Sequence, residues 1–290
     1  MFDLTHRAIF SIDFSPTPLF VSAALNLAKS ATSRPPAPVS PPLFTINFSQ
    51  TMTNKSILRT IALLLLPTLL LFTACDPALR GNGDLVTETR SEKDFDGLDV
   101  SVPGKVVVLL GDEFKVEVQV EENLLPYLKT EVESGDLFIY FSRNVRDVDN
   151  LVVTVTMPKL VSVNLSGSVE FVANGAFAGQ LLDVDLSGSG KVEMGNINYE
   201  KVAFNLSGSG NINLRGEATE LETFLSGSGH LNALGCPVKI ADIHLSGSGS
   251  AKVDVTDKLT AHISGSGEIL YEGNPVVDAD ISGSGRVKKI

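Results

Sequence analysis

From residue 161 to residue 290 apolar and polar positions alternate in short runs, and each run keeps a fixed relation to a motif written aliphatic-Ser-Gly-Ser-Gly. Leu165, Leu186, Leu206, Leu225, Leu245, Ile263 and Ile281 stand immediately before the first serine of the motif. Two residues earlier stand Val163, Val184, Phe204, Thr223, Ile243, Ala261 and Ala279. The column between them is polar, with Asn164, Asp185, Asn205, His244, His262 and Asp280, and Phe224 is its one breach. Alternation of this kind predicts a strand with one buried face. Five places after the serine the pattern resumes at Val192, Ile212, Leu231, Ala251, Ile269 and Val287, so each repeat has at least two strands.

The first serines are Ser166, Ser187, Ser207, Ser226, Ser246, Ser264 and Ser282, separated by 21, 20, 19, 20, 18 and 18 residues. That is the period of a stacked solenoid coil, and the predicted fold is all-β, a parallel β-helix with coils of about 18–21 residues. The motif glycines are Gly167 in the first copy, which ends in Val169, then Gly188 and Gly190, Gly208 and Gly210, Gly227 and Gly229, Gly247 and Gly249, Gly265 and Gly267, and Gly283 and Gly285. If the alternation runs unbroken through the motif, both glycines face inward at a tight corner and both serines face outward. A single coil cannot bury its own apolar face. Stability must come from its neighbours, roughly 1.5 to 3 kcal/mol for each buried Leu, Val or Ile.

Residues 82–160 form the start of the same body. Leu98, Val100, Val102, Gly104, Val106 and Val108 alternate as a further coil with Ser101 as its reference serine. Strands are predicted at 114–120, 137–141 and 151–157. A short helix is expected over Glu122 to Glu133, because Leu124, Leu125, Leu128 and Val132 share one side of it and would close the open end of the core.

The first third of the chain reads as an address. From Met52, Lys55 and Arg59 supply a positive segment and Ile61 to Phe72 an apolar run of 12 residues, too short for a spanning helix, which needs about 20. Phe72-Thr73-Ala74-Cys75 follows and resembles the lipobox of bacterial lipoproteins, in which the cysteine carries the lipid. Phe72 stands where that motif prefers leucine, with Leu71 one further back. The expected organisation is a signal peptide at 52–74, Cys75 as the lipidation site and a tethering linker to residue 81. Residues 1–51, Pro-rich at Arg34 to Pro42, are expected to be a mis-assigned, unstructured extension, with Met52 as the initiator.

Charge and cysteine usage narrow the function. The first 74 residues hold 5 of the 23 basic and 2 of the 34 acidic residues, so 18 face 32 beyond them, a net charge of −14. Such a surface repels phosphate backbones, and no nucleic-acid partner is expected. With Cys75 acylated, Cys236 has no partner for a disulfide and is expected to be a buried thiol.

Gly81-Asn82-Gly83, the run from Glu122-Asn123-Leu124-Leu125-Pro126-Tyr127-Leu128 to Ser134-Gly135, and the repeated Leu-Ser-Gly-Ser-Gly together resemble the putative auto-transporter adhesin, head GIN domain family. The resemblance covers nearly all of residues 82–290. It implies a right-handed parallel β-helix and an envelope lipoprotein, with adhesion suggested by the family's name. It brings no catalytic or ligand residues.

Chemistry is sparse in the residues themselves. Seven copies of one serine pair make a ladder, whereas a nucleophile needs one base and one orienting acid in one place. His244 and His262 occupy the same position in adjacent coils and could stack about 5 Å apart, with Asp280 next in the column; these are weak metal candidates, and a solvated face is the expectation. A polysaccharide lyase or hydrolase needs clustered carboxylates. Asp183, Asp242 and Asp278 share a column, but Ala203, Glu222 and Thr260 interrupt it. The expected protein is therefore a non-enzymatic envelope lipoprotein without a cofactor, held in the outer membrane by its lipid and presenting a structural or adhesive surface to a glycan or cell-surface partner.

Overall fold

The computed structural model describes residues 78–148 and 150–290, and these form a parallel β-solenoid. The expected leader, the extension before it and Cys75 lie outside the described residues. The motif copies stack in register, Ser166 against Ser187, Ser187 against Ser207, and so on to Ser264 against Ser282. On the second side of the coil Val192, Ile212, Leu231, Ala251, Ile269 and Val287 likewise form one line. Both predicted strands of the repeat are present.

From Val163 to Ile263 the inward residues of the two columns before the motif are at most 3% exposed. Volume is traded between coils rather than conserved within them: fully buried Phe204 is followed in its column by Thr223. A third side of the coil, less regular in sequence, buries Phe177, Ile197, Tyr199, Cys236 and Val238. Tyr199 Oη donates to the Leu160 carbonyl at 2.6 Å. The changes in period are absorbed between the second and third sides, where register shifts between Met194 and Ile197, between Asn213 and Arg215, and between Ala233 and Val238.

At the motif corner the two glycines have different jobs, which corrects the expectation that both face inward. The first has a positive φ, 126° at Gly188, 129° at Gly208 and 121° at Gly247, a region disfavoured for other residues. A Cβ there would point along the stack into the carbonyl oxygen of the preceding coil's glycine, Gly167 for Gly188 and Gly188 for Gly208. The second glycine does face the core, and a Cβ at Gly229 would collide with Leu206 of the coil before. The alternation breaks at the first glycine because the backbone must keep its ladder through the bend. Ser209 N–H donates to Gly188 O at 3.0 Å and Asn211 N–H to Gly190 O at 3.0 Å.

The N-terminal part holds the expected extra coil. Leu98 and Val100 pair with Val163 and Leu165, and Val106 and Val108 with Phe171 and Ala173. Below it lie Leu137 and Ile139 on one side and Val153 and Val155 on the other. The end is closed by antiparallel strands, with Lys115–Glu121 between Leu85–Arg90 and Val152–Met157.

The expected helix over Glu122 to Glu133 does not form. Only Leu125–Tyr127 makes a 3-10 turn, with Pro126 in it, and Leu128–Glu133 is a strand paired antiparallel with Asp136–Phe141. Ser134 and Gly135, with φ of 55° and 93°, make the two-residue turn that suits a hairpin twist. That local turn, together with the free edge of the neighbouring strand, overrides the helical spacing of four apolar residues. Leu124 and Leu128 are nonetheless buried in the core, as expected, whereas Leu125 is partly buried and Val132 is exposed.

Replacing Gly208 with Val should lower stability by roughly 1 to 3 kcal/mol, because the new side chain meets both a disfavoured φ and a backbone oxygen. Ser209→Thr, on the exposed side of the corner, should be close to neutral. Chemical denaturation of the two variants measures the contrast, and an unchanged midpoint for Gly208→Val would contradict the packed corner.

Candidate functional site

In the strand that leads into each motif, the first serine and the residues two and four places before it share the outer face. The register brings Asn205, Phe224, His244, His262 and Asp280 into one column and Ala203, Glu222, Asp242, Thr260 and Asp278 into the next. Coil spacing forces like positions into contact. The rings of Phe224 and His244 are 4.6 Å apart between centroids at 13°, and those of His244 and His262 are 4.7 Å apart at 22°. The breach in the polar column, Phe224, is thus the first member of a three-ring stack and is 44% exposed. Beside the rings run Ser226, Ser246, Ser264 and Ser282, and together they line a shallow groove of about 330 Å³.

Two carboxylates lie against the histidines of this strip. His244 Nε2 is 3.2 Å from Asp242 Oδ1, and His262 Nδ1 is 4.0 Å from Asp280 Oδ2. Asp242, His244 and His262 bring one ligand atom each to within 4.8 Å of one another. The sequence pointed to the two histidines and Asp280 but set Asp242 in a separate column. Its signal was parity: two residues apart on one strand means the same face. Elsewhere in the acidic column the carboxylates are engaged differently. Lys201 pairs with Glu222, and the Asp183 carboxyl is raised above the usual range by partial burial first and the nearby Asp185 carboxylate second.

All fourteen motif serines are exposed, from Ser166 to Ser284. Cys236 is fully buried and forms no disulfide, and burial, reinforced by Glu217, pushes its thiol up to about 11. Among the described residues no helix is long and apolar enough to cross a membrane.

Residues 94–275 match the family described as putative auto-transporter adhesin, head GIN domain, and the chain belongs to it. A crystal structure of a putative adhesin from Bacteroides fragilis shares the fold, with 20% identity and a TM-score of 0.68 over 73% of this chain and 100% of that one. A putative adhesin from Parabacteroides distasonis is similar at 28% identity and a TM-score of 0.61, over 74% of this chain and all (100%) of that one. A protein from the same organism named a putative lipid binding protein is similar at 27% identity and a TM-score of 0.59, again over 74% and 100% of the two chains. No curated protein matches.

The Cys236 thiol should resist modification in the native protein. In a Cys75→Ser background, a thiol-reactive dye at neutral pH should label Cys236 only as fast as the chain unfolds. Because its folded value of about 11 lies above the ordinary 9.0, the thiol's contribution to stability is whole below pH 9.0 and is lost as pH rises toward about 11. Rapid labelling of the folded chain would contradict its burial.

Proposed function

We propose that this member of the head GIN domain family is a non-enzymatic, lipid-anchored protein of the bacterial cell envelope whose motif-bearing face binds a surface partner, with glycan chains as the partner class. The observation that carries this reading is the outward ladder of serine pairs running beside the Phe224–His244–His262 strip. Hydroxyls that both donate and accept, repeated at a coil spacing of about 4.8 Å next to apolar ring surface, are what a polymer of sugars can use along its length. A regular ladder favours many weak contacts. A catalytic centre would need one serine to differ from the others, and the acids beside the ladder are scattered by Ala203 and Thr260.

The leader supports the anchor. Lys55 and Arg59, the apolar run to Phe72 and the following Cys75 are the parts that an exported lipoprotein needs, and a net charge of −14 beyond them suits a body that stays off anionic membrane and nucleic acid. Replacing Cys75 with Ala should release the protein from membranes and abolish incorporation of labelled palmitate. Continued membrane fractionation of that variant, with no label in the wild type, would remove the lipoprotein reading.

The partner class is tested by screening the protein against a glycan panel, whole cells and lipid vesicles, the last because one similar protein is named for lipid binding. Single alanine substitutions at Ser187, Ser207, Ser226, Ser246 or Ser264 should leave binding close to wild type. Removing several in adjacent coils should weaken it stepwise through lost multivalency. Release of new reducing ends or unsaturated sugars, abolished by Asp242→Asn alone, would overturn the non-enzymatic reading, since members of a catalytic centre act as a unit.

A further inference from the structure

We infer that Asp242, His244 and His262 form a binding site for one divalent transition-metal ion, with Asp280 as the carboxylate that orients His262. This does not depend on the partner-binding role. The three ligand atoms lie within 4.8 Å of one another, and they come from two adjacent coils whose register sets His244 directly against His262.

A second observation is independent of that proximity. Asp242 Oδ1 is shielded from solvent and has no hydrogen-bond partner among the described residues, although His244 Nε2 is only 3.2 Å away. The two atoms are close but not aligned for a hydrogen bond. Neighbouring ligands of a tetrahedral ion with bonds of about 2.0–2.1 Å lie roughly 3.3 Å apart, so the pair already has the spacing of two ligands on one ion.

Asp280 Oδ2 stands 4.0 Å from His262 Nδ1, on the side of the ring from which a carboxylate commonly orients a ligating imidazole, but beyond hydrogen-bond distance until the two side chains close on each other. Nε2 of His262 is then the atom left for the ion. In the stack the two imidazoles are nearly parallel and their lone pairs do not converge, so binding requires His262 to tilt out of the stack. Its side chain is 45% exposed and has room to do so. Two imidazoles with one carboxylate suit Zn²⁺, Co²⁺, Ni²⁺ or Cu²⁺, whereas Ca²⁺ and Mg²⁺ prefer all-oxygen sites.

The test is a titration of the full chain with CoCl₂, followed by the visible absorption that intensifies when Co²⁺ leaves water for a low-coordinate protein site. Saturation at one ion per chain, displacement by ZnSO₄ and no response to CaCl₂ are expected. The thermal midpoint should rise with ZnSO₄ in the wild type by mass action. His244→Ala and His262→Ala should each abolish both signals with an unchanged circular-dichroism spectrum. His230→Ala is the control, because His230 lies on the other side of the motif corner against Ser250 and should bind metal as the wild type does. No saturation below about 1 mM, or a site equally lost in His230→Ala, or one that survives both His244→Ala and His262→Ala, would overturn the inference.

Discussion

Everything in this solenoid depends on how closely one backbone passes another at the motif corner. The carbonyl of each first glycine accepts a hydrogen bond from the serine N–H of the next coil, as Gly188 O does from Ser209. The first glycine of that next coil must present a hydrogen to the same oxygen, since any Cβ would occupy it. The ladder therefore continues through the bend, with the serine N–H and glycine C=O groups paired from coil to coil. This explains why the motif repeats so strictly while the columns around it drift. Glycine at those positions is a matter of space and φ, and no other residue supplies both.

Because the corner fixes register, the side chains are free to vary in type but not in place. Inward positions trade volume along the stack, so Phe204 is accommodated above Thr223, and the second glycines Gly210, Gly229, Gly267 and Gly285 leave room for Leu186, Leu206, Leu245 and Ile263 of the coil before. Outward positions are held one coil apart, which turns chance identities into contacts. Phe224, His244 and His262 stack although each repeat contributes only one of the three rings. Functional chemistry on such a face can be written by substituting one position in two or three successive coils, with no change in the backbone.

Legibility in the sequence followed the same division. The motif strands, their inward columns and the extra coil around Ser101 were readable because period-two patterning and a fixed repeat reinforce each other. The third side was not, because the residue ten places before the motif serine changes from Phe177 to Ile197, Gly216 and Cys236, so its column shows no apolar pattern, and the register shifts beside it. The segment after Glu122 misled because four apolar residues at helical spacing also fit a turn followed by a strand, and the hairpin through Ser134 and Gly135 is decided by tertiary pairing. Within the site, the histidine pair was legible from its column. Asp242 was missed because reading down columns separates residues that one strand places side by side.

That last omission shows how an array and a site can share one face. Where an outward column repeats a single residue type, as the motif serines do, every coil offers the same weak contact and the sum grows with length. Where a column changes type between neighbouring coils, from Phe224 to His244 and from His262 to Asp280, the change itself brings unlike groups to about coil spacing. Adding the residue two places earlier on the strand makes the meeting two-dimensional, and a carboxylate and two imidazoles come within 4.8 Å of one another without any loop to position them. A rigid ladder is therefore a ready scaffold for a localised site, because the spacing that a loop would have to hold at an entropic cost is already set by backbone hydrogen bonds.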